Sequence, residues 1–184
     1  MEKRIEQTYS KFLSALTKLL KEKNYEDISI SEICEKANVK RPTFYNHFDD
    51  KEDFIVKITR YLYKQRPASF ENIKDFKTYC KEFTFYCLKY LDKIRHPIKL
   101  GTGKIETSKL YYVLFKEIHI FLKKRYQSRA YPEVDPADED FFLYRMSSRI
   151  IAFLIFFYNS DITLEEMKKH VNITMDFHYI WYLF

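Results

Sequence analysis

The sequence predicts an all-α protein, and three observations carry the prediction. Apolar residues recur every three or four positions along most of its 184 residues. Only two glycines, Gly101 and Gly103, and five prolines interrupt them, too few turn residues for a many-stranded sheet protein. Serine, threonine and aspartate stand where helix starts need caps. About eight or nine helices are expected, three in an amino-terminal module and the others in a larger helical domain.

The first helix is written by Ile5, Tyr9, Phe12, Leu13, Leu16, Leu19 and Leu20, with Lys11, Lys18 and Lys21 on the wet side, and it runs out near Lys23 and Asn24. Ser29, followed by Glu32 three residues later, is a capping-box signature that opens a short second helix to Ala37. Asn38 then stands where a helix end wants a residue that tolerates positive φ. Pro42 suits the first turn of a third short helix, in which Phe44 and Phe48 share one face. Asp50 caps a fourth helix that points Phe54, Ile55, Ile58 and Leu62 inward and ends before Pro67. Beyond it, Phe76, Cys80, Phe83, Cys87, Tyr90, Leu91 and Ile94 form a long seam closed by Pro97, Gly101 and Gly103. Leu110, Val113, Leu114, Ile118, Phe121 and Leu122 form the next stripe, and a polar loop with Pro132 and Pro136 follows. Asp138 to Asp140 are placed to cap a strongly apolar helix through Tyr158. Thr163 with Glu166 forms a second capping box ahead of the last helix. The resulting organisation is a module over 1–50, a connecting helix over 51–66 and a helical domain over 67–184.

Composition excludes several classes. Apolar residues make up 46% of the chain and aromatics 18%, far above a disordered polypeptide. The net charge of +6 suits an anionic partner such as a nucleic acid. Cys34, Cys80 and Cys87 form neither a metal-type pair nor an even disulfide set, and His96, His119, His170 and His178 show no ligand spacing, so no metal or other cofactor is expected. No nucleophile, acid and base are grouped as catalysis requires, so the protein is not read as an enzyme. The start from Met1 to Gln7 is charged rather than apolar, and the longest apolar run, Ile150 to Tyr158, is about half of the roughly 20 residues a membrane helix needs. A cytoplasmic location without membrane attachment is expected.

Two short helices joined by a tight turn, braced by a third, suit the insertion of one helix end into a DNA major groove about 12 Å wide. The residues between 40 and 51 that are not needed for packing are Lys40, Arg41, Thr43, Tyr45, Asn46, His47 and Lys51. Nearly all are donors able to reach phosphates or base edges. Tyr45 falls about 100° around the helix from Phe44, and its hydroxyl would be wasted in a small core.

Ser29-Ile30-Ser31-Glu32-Ile33-Cys34-Glu35-Lys36-Ala37-Asn38-Val39, with Thr43-Phe44-Tyr45-Asn46-His47-Phe48 and Lys51-Glu52-Asp53-Phe54, resembles the amino-terminal signature of TetR-family transcriptional regulators. The resemblance implies that Tyr45 and Lys51 hold phosphates and that Arg41, Thr43 and Asn46 are among the residues that reach bases. Asn38 stands where many members have glycine in the turn, and Pro42 where many have glycine before the threonine. The second change removes one backbone N–H that could face a phosphate. The resemblance further implies a ligand-responsive dimer, most simply a repressor on a near-palindromic operator, built through its last two helices. The alternative is a co-regulator of this fold that works through a protein partner.

The second half has no comparably specific motif. The helix from Phe141 to Tyr158 is apolar on nearly every side, and Ser147 and Ser148 permit close approach of a second subunit. The final helix presents Leu164, Met167, Val171, Thr174, Phe177, His178 and Trp181 as another candidate surface. Phe83, Tyr86, Tyr90, Tyr111 and Phe115 are candidates to line a pocket for a small apolar or cationic effector, because tyrosine offers both a ring face and a hydroxyl. Glu117, lying on an apolar stripe, is assigned either to that pocket or to an ion pair with Arg145 or Arg149.

Overall fold

A computed structural model describes residues 2–94, 109–129 and 136–176. Among them are eight α-helices and no strand: α1 (Glu2–Leu19), α2 (Ile30–Lys36), α3 (Arg41–Tyr45), α4 (Lys51–Lys64), α5 (Phe76–Ile94), α6 (Lys109–Arg129), α7 (Glu139–Asn159) and α8 (Leu164–Asp176). The all-α class read from the sequence is therefore the observed one. The punctuation expected at Pro97, Gly101, Gly103 and Pro132, and the side chains of His96, Phe177, His178 and Trp181, lie outside the described residues. The chain forms two compact units, Met1–Arg66 with Lys93–Glu117, and Pro67–Asp92 with Ile118–Phe184.

The first unit is organised by local signals at its helix ends. Ser29 Oγ accepts the Glu32 amide at 3.2 Å, and Glu32 Oε2 accepts the Ser29 amide at 2.8 Å, so both halves of the capping box are closed. At the other end of α2, Val39 N–H donates to Cys34 O and Asn38 N–H to Glu35 O, both at 3.0 Å. These are the two bonds of a Schellman turn, which needs a left-handed residue between them, and Asn38 supplies it with φ of 54°. Replacing Asn38 with glycine should leave stability unchanged or slightly raised. Asn38→Val, which forces a β-branched side chain into that conformation, should cost about 1–2 kcal/mol in urea denaturation.

Four phenylalanines fill the centre of this unit. Phe12 of α1, Phe44 of α3, Phe48 after it and Phe54 of α4 are each fully buried, with ring centroids between 5.0 and 5.9 Å apart. Edge-on and tilted contacts at such distances add to the burial itself. Ile33 and Cys34 of α2, Ile58 of α4 and Val113 of α6 complete the same core.

In the second unit, Phe76, Tyr79 and Phe83 line the buried side of α5, and Phe83 stacks on Phe121 of α6 at 4.8 Å. Arg125 is buried without becoming an unpaired charge. Its guanidinium reaches Glu71 at 3.0 Å and Ile73 O at 2.9 Å and lies 4.5 Å from the Tyr79 ring centre. Thr163 and Glu166 exchange the bonds of the second predicted capping box. Asp138 departs from expectation. It sits at φ −101°, ψ 0° at the end of a 3-10 turn, not in the extended conformation of a cap, and its carboxylate makes no capping bond. Nine side chains of α7 are buried, yet Phe141, Tyr144 and Phe156 are more than half exposed. By length and composition alone α7 could cross a membrane. All three cysteines are buried and in no disulfide, Cys34 in the first unit and Cys80 and Cys87 in the second.

Candidate nucleic-acid interface

The geometry of α3 divides its residues into two sets. Phe44 is 0% exposed and Tyr45, the next residue, 48% exposed, so adjacent aromatics serve opposite faces of one five-residue helix. The Phe48 amide still donates to Phe44 O at 2.9 Å, so the helical path continues past Tyr45 and carries Phe48 back into the core. What remains on the solvent side is Lys40, Arg41, Tyr45 and Asn46, with Thr43 partly covered. Arg41 Nη2 lies 3.4 Å from the Tyr45 hydroxyl, one helical turn away, so the guanidinium and the phenol form a single polar edge. Pro42 occupies the first turn, where its missing N–H breaks no helical bond.

Two of the seven residues expected at this surface are placed differently. The His47 ring is half-buried and meets Tyr9 of α1 edge-on at 5.8 Å. The Lys51 ammonium donates to Tyr25 O at 2.5 Å and Glu26 O at 3.1 Å, and lies 4.4 Å from the centre of the Tyr25 ring. Tyr25 returns the contact, its hydroxyl donating to Lys51 O at 2.6 Å. Burial pushes the Tyr25 hydroxyl well above its ordinary range, so it remains a donor. Burial also draws the Lys51 ammonium below its ordinary range, against the opposing pull of Glu26 and Asp27. Lys51 therefore fastens the start of α4 to the turn before α2, and only a proton left over from those carbonyls is available to a phosphate.

Sequence reasoning missed the side chains that hold α3 from behind. Lys57 of α4 donates to His47 O at 2.9 Å and pairs with Asp53 at 2.7 Å, while Asp53 Oδ2 accepts the Asp49 amide at 3.0 Å. Burial acts to raise the Asp53 pKa, but Lys57 and the Asp49 amide outweigh it and hold the carboxyl below its usual range. The i, i+4 spacing of Asp53 and Lys57 was a visible signal for the ion pair, though not for the carbonyl it reaches.

Glu117 requires a correction. Its carboxylate is bound by Arg60 of α4, Oε2 to Nε at 2.6 Å and Oε1 to Nη2 at 2.9 Å, and not by Arg145 or Arg149. The reason is helical phase. Glu117 follows Val113 by one turn, and Val113 packs in the core shared with α4, so Glu117 faces α4 as well. Arg145 instead lies over the Phe141 ring at 5.6 Å. Of the other residues expected at an effector pocket, Tyr111 and Phe115 stack on each other in the first unit. Phe83, Tyr86 and Tyr90 belong to the second, where Tyr86 meets Phe70 edge-on.

Known proteins resemble the chain in sequence and in fold. Residues 12–58 match the family model described as bacterial regulatory proteins, tetR family. A stretch of 60 residues, 33% of this chain, is 32% identical to the HTH-type transcriptional regulator EthR of Mycolicibacterium smegmatis and spans 28% of that protein. The fold is similar to the crystal structure of a transcriptional regulator FadR from Bacillus subtilis in complex with stearoyl-CoA. That likeness has a TM-score of 0.54 and 15% identity, over 91% of this chain and 96% of that one.

Proposed function

We propose, from the match of residues 12–58 to the tetR family model, that the chain is a DNA-binding transcriptional regulator of that family. In this reading it is a cytoplasmic, ligand-responsive dimeric repressor on a near-palindromic operator. The observation that carries the reading is the polar edge of α3. Lys40, Arg41, Tyr45 and Asn46 are presented to solvent by a helix whose other side is locked by Phe44 and Phe48. Arg41, Thr43 and Asn46 read bases, and Lys40 and Tyr45 hold phosphates. His47 and Lys51 serve the same surface from its margin, Lys51 offering the DNA backbone the proton its two carbonyls leave over. Functionally, residues 1–50 read DNA, the helix over 51–66 connects, and 67–184 dimerise and bind the effector.

The dimer rests on α7 and α8. Phe141, Tyr144, Ala152 and Phe156 recur along one exposed stripe of α7, with the half-buried Ser148 between them, and Ile173 is exposed on α8. A stripe of that kind suits an isologous contact with the same helices of a second copy. The effector is apolar or cationic, in keeping with the aromatic side chains Phe83, Tyr86 and Tyr90 of the second unit. The stearoyl-CoA bound by the similarly folded FadR supports the apolar choice.

Selection of duplexes from a random pool by the full chain, with mass in solution measured in parallel, tests the reading. A dimer should recover sites with two half-sites about 34 to 36 Å apart or a multiple of that. Affinity should fall roughly a thousandfold or more between about 50 and 200 mM salt if six or more phosphates are held. A chain that binds no duplex at low salt would instead be a co-regulator acting through a protein partner.

A further inference from the structure

We propose that Lys57 is a positioning residue for α3, setting the discrimination between DNA sequences without touching DNA. The inference rests on the reading of α3 as the recognition helix. A helix of five residues has almost no intrahelical bonding of its own, so its orientation is set by what holds its ends. At the exit of α3, the carbonyl just before Phe48 and the amide just after it are both tied to one ion pair on α4. Lys57 takes His47 O at 2.9 Å, Asp53 takes the Asp49 amide at 3.0 Å, and the two side chains meet at 2.7 Å. Asp50 Oδ1 accepts the Asp53 amide at 2.8 Å, fixing the base from which both project. The His47 ring is held from the other side by Tyr9, whose ring also packs against Phe48 and Tyr61.

Two of the three ammonium protons of Lys57 are thus committed to partners inside the module. Releasing them would let the turn over 46–50 rotate on the Phe48 anchor and swing Asn46 and Tyr45, the residues nearest the exit. Base readout depends on the angle of those side chains, whereas non-specific affinity depends chiefly on how many phosphates are met. Loss of the latch should therefore cost discrimination and leave the salt dependence alone.

The test uses Lys57→Met, Lys57→Arg and Asp53→Asn in the full chain, against a duplex selected by the unaltered protein and against poly(dI-dC). Lys57→Met should weaken binding to the selected duplex about tenfold. It should leave poly(dI-dC) affinity and the slope of log affinity on log salt unchanged. Lys57→Arg should restore most of the loss, and Asp53→Asn should repeat it in part. Amide exchange at Asp49 should quicken in Lys57→Met without any DNA present. Parallel losses on both duplexes, with a slope shallower by about 0.9, would make Lys57 a phosphate contact and overturn the proposal. Unaltered discrimination would overturn it equally, leaving only a surface ion pair. If the unaltered chain binds neither duplex at low salt, the functional reading fails and the latch fails with it. Binding by the unaltered chain with no effect in the variants sinks the latch alone.

Discussion

Alanine at both Arg41 and Tyr45 should lower affinity for a selected duplex by roughly one and a half to four orders of magnitude, taking each lost polar contact at about 1–3 kcal/mol. The two side chains share one edge of α3, and neither belongs to the core, so helicity and mass in solution should not change. Because Arg41 Nη2 and the Tyr45 hydroxyl lie 3.4 Å apart, the single variants should not sum to the double one. Removing the phenol also frees the guanidinium to sample other rotamers. Fluorescence anisotropy with a labelled duplex measures all three variants, and circular dichroism supplies the control for fold. Affinity preserved in the double variant would mean that some other face of the molecule meets DNA.

Phe44→Ala has the second large effect, and it falls on stability. The Phe44 ring is fully buried and meets Phe12, Tyr45, Phe48 and Phe54 at centroid distances of 5.0 to 5.8 Å. Truncation to a methyl group removes that burial and leaves a cavity between three other rings, a change that costs about 3–5 kcal/mol. Against a total stability of about 5–15 kcal/mol for a typical domain, the loss should leave the first unit close to unfolding. Phe44→Leu keeps most of the volume and should cost markedly less. Denaturant unfolding of the full chain ranks the two, and equal midpoints for Phe44→Ala and the unaltered protein would show that the ring is not what anchors α3.

Features decided within about four residues are legible in the sequence. The Ser29 and Glu32 exchange, the left-handed Asn38, the Asp50 cap and the Thr163 and Glu166 exchange all depend on neighbours along the chain, and each is present. The opposite fates of Phe44 and Tyr45 follow from helical phase alone. Contacts between distant elements are less accessible. The partner of Glu117 depends on which helix faces α6 at that turn, and by sequence two arginines on a later helix are as suitable as Arg60. Nothing local shows that Lys51 folds back onto the carbonyls of Tyr25 and Glu26. Asp138 fails as a cap because it is itself the last residue of a 3-10 turn, which holds its backbone away from the required conformation.

The buried thiols give the protein a chemical property separate from its recognition of any partner. Burial pushes the Cys34 and Cys87 thiols above their ordinary range, so little thiolate exists to meet an oxidant or an alkylating reagent. Reaction then has to wait for a structural opening. Since Cys34 belongs to one unit and Cys80 and Cys87 to the other, the chain carries a separate built-in clock for the breathing of each.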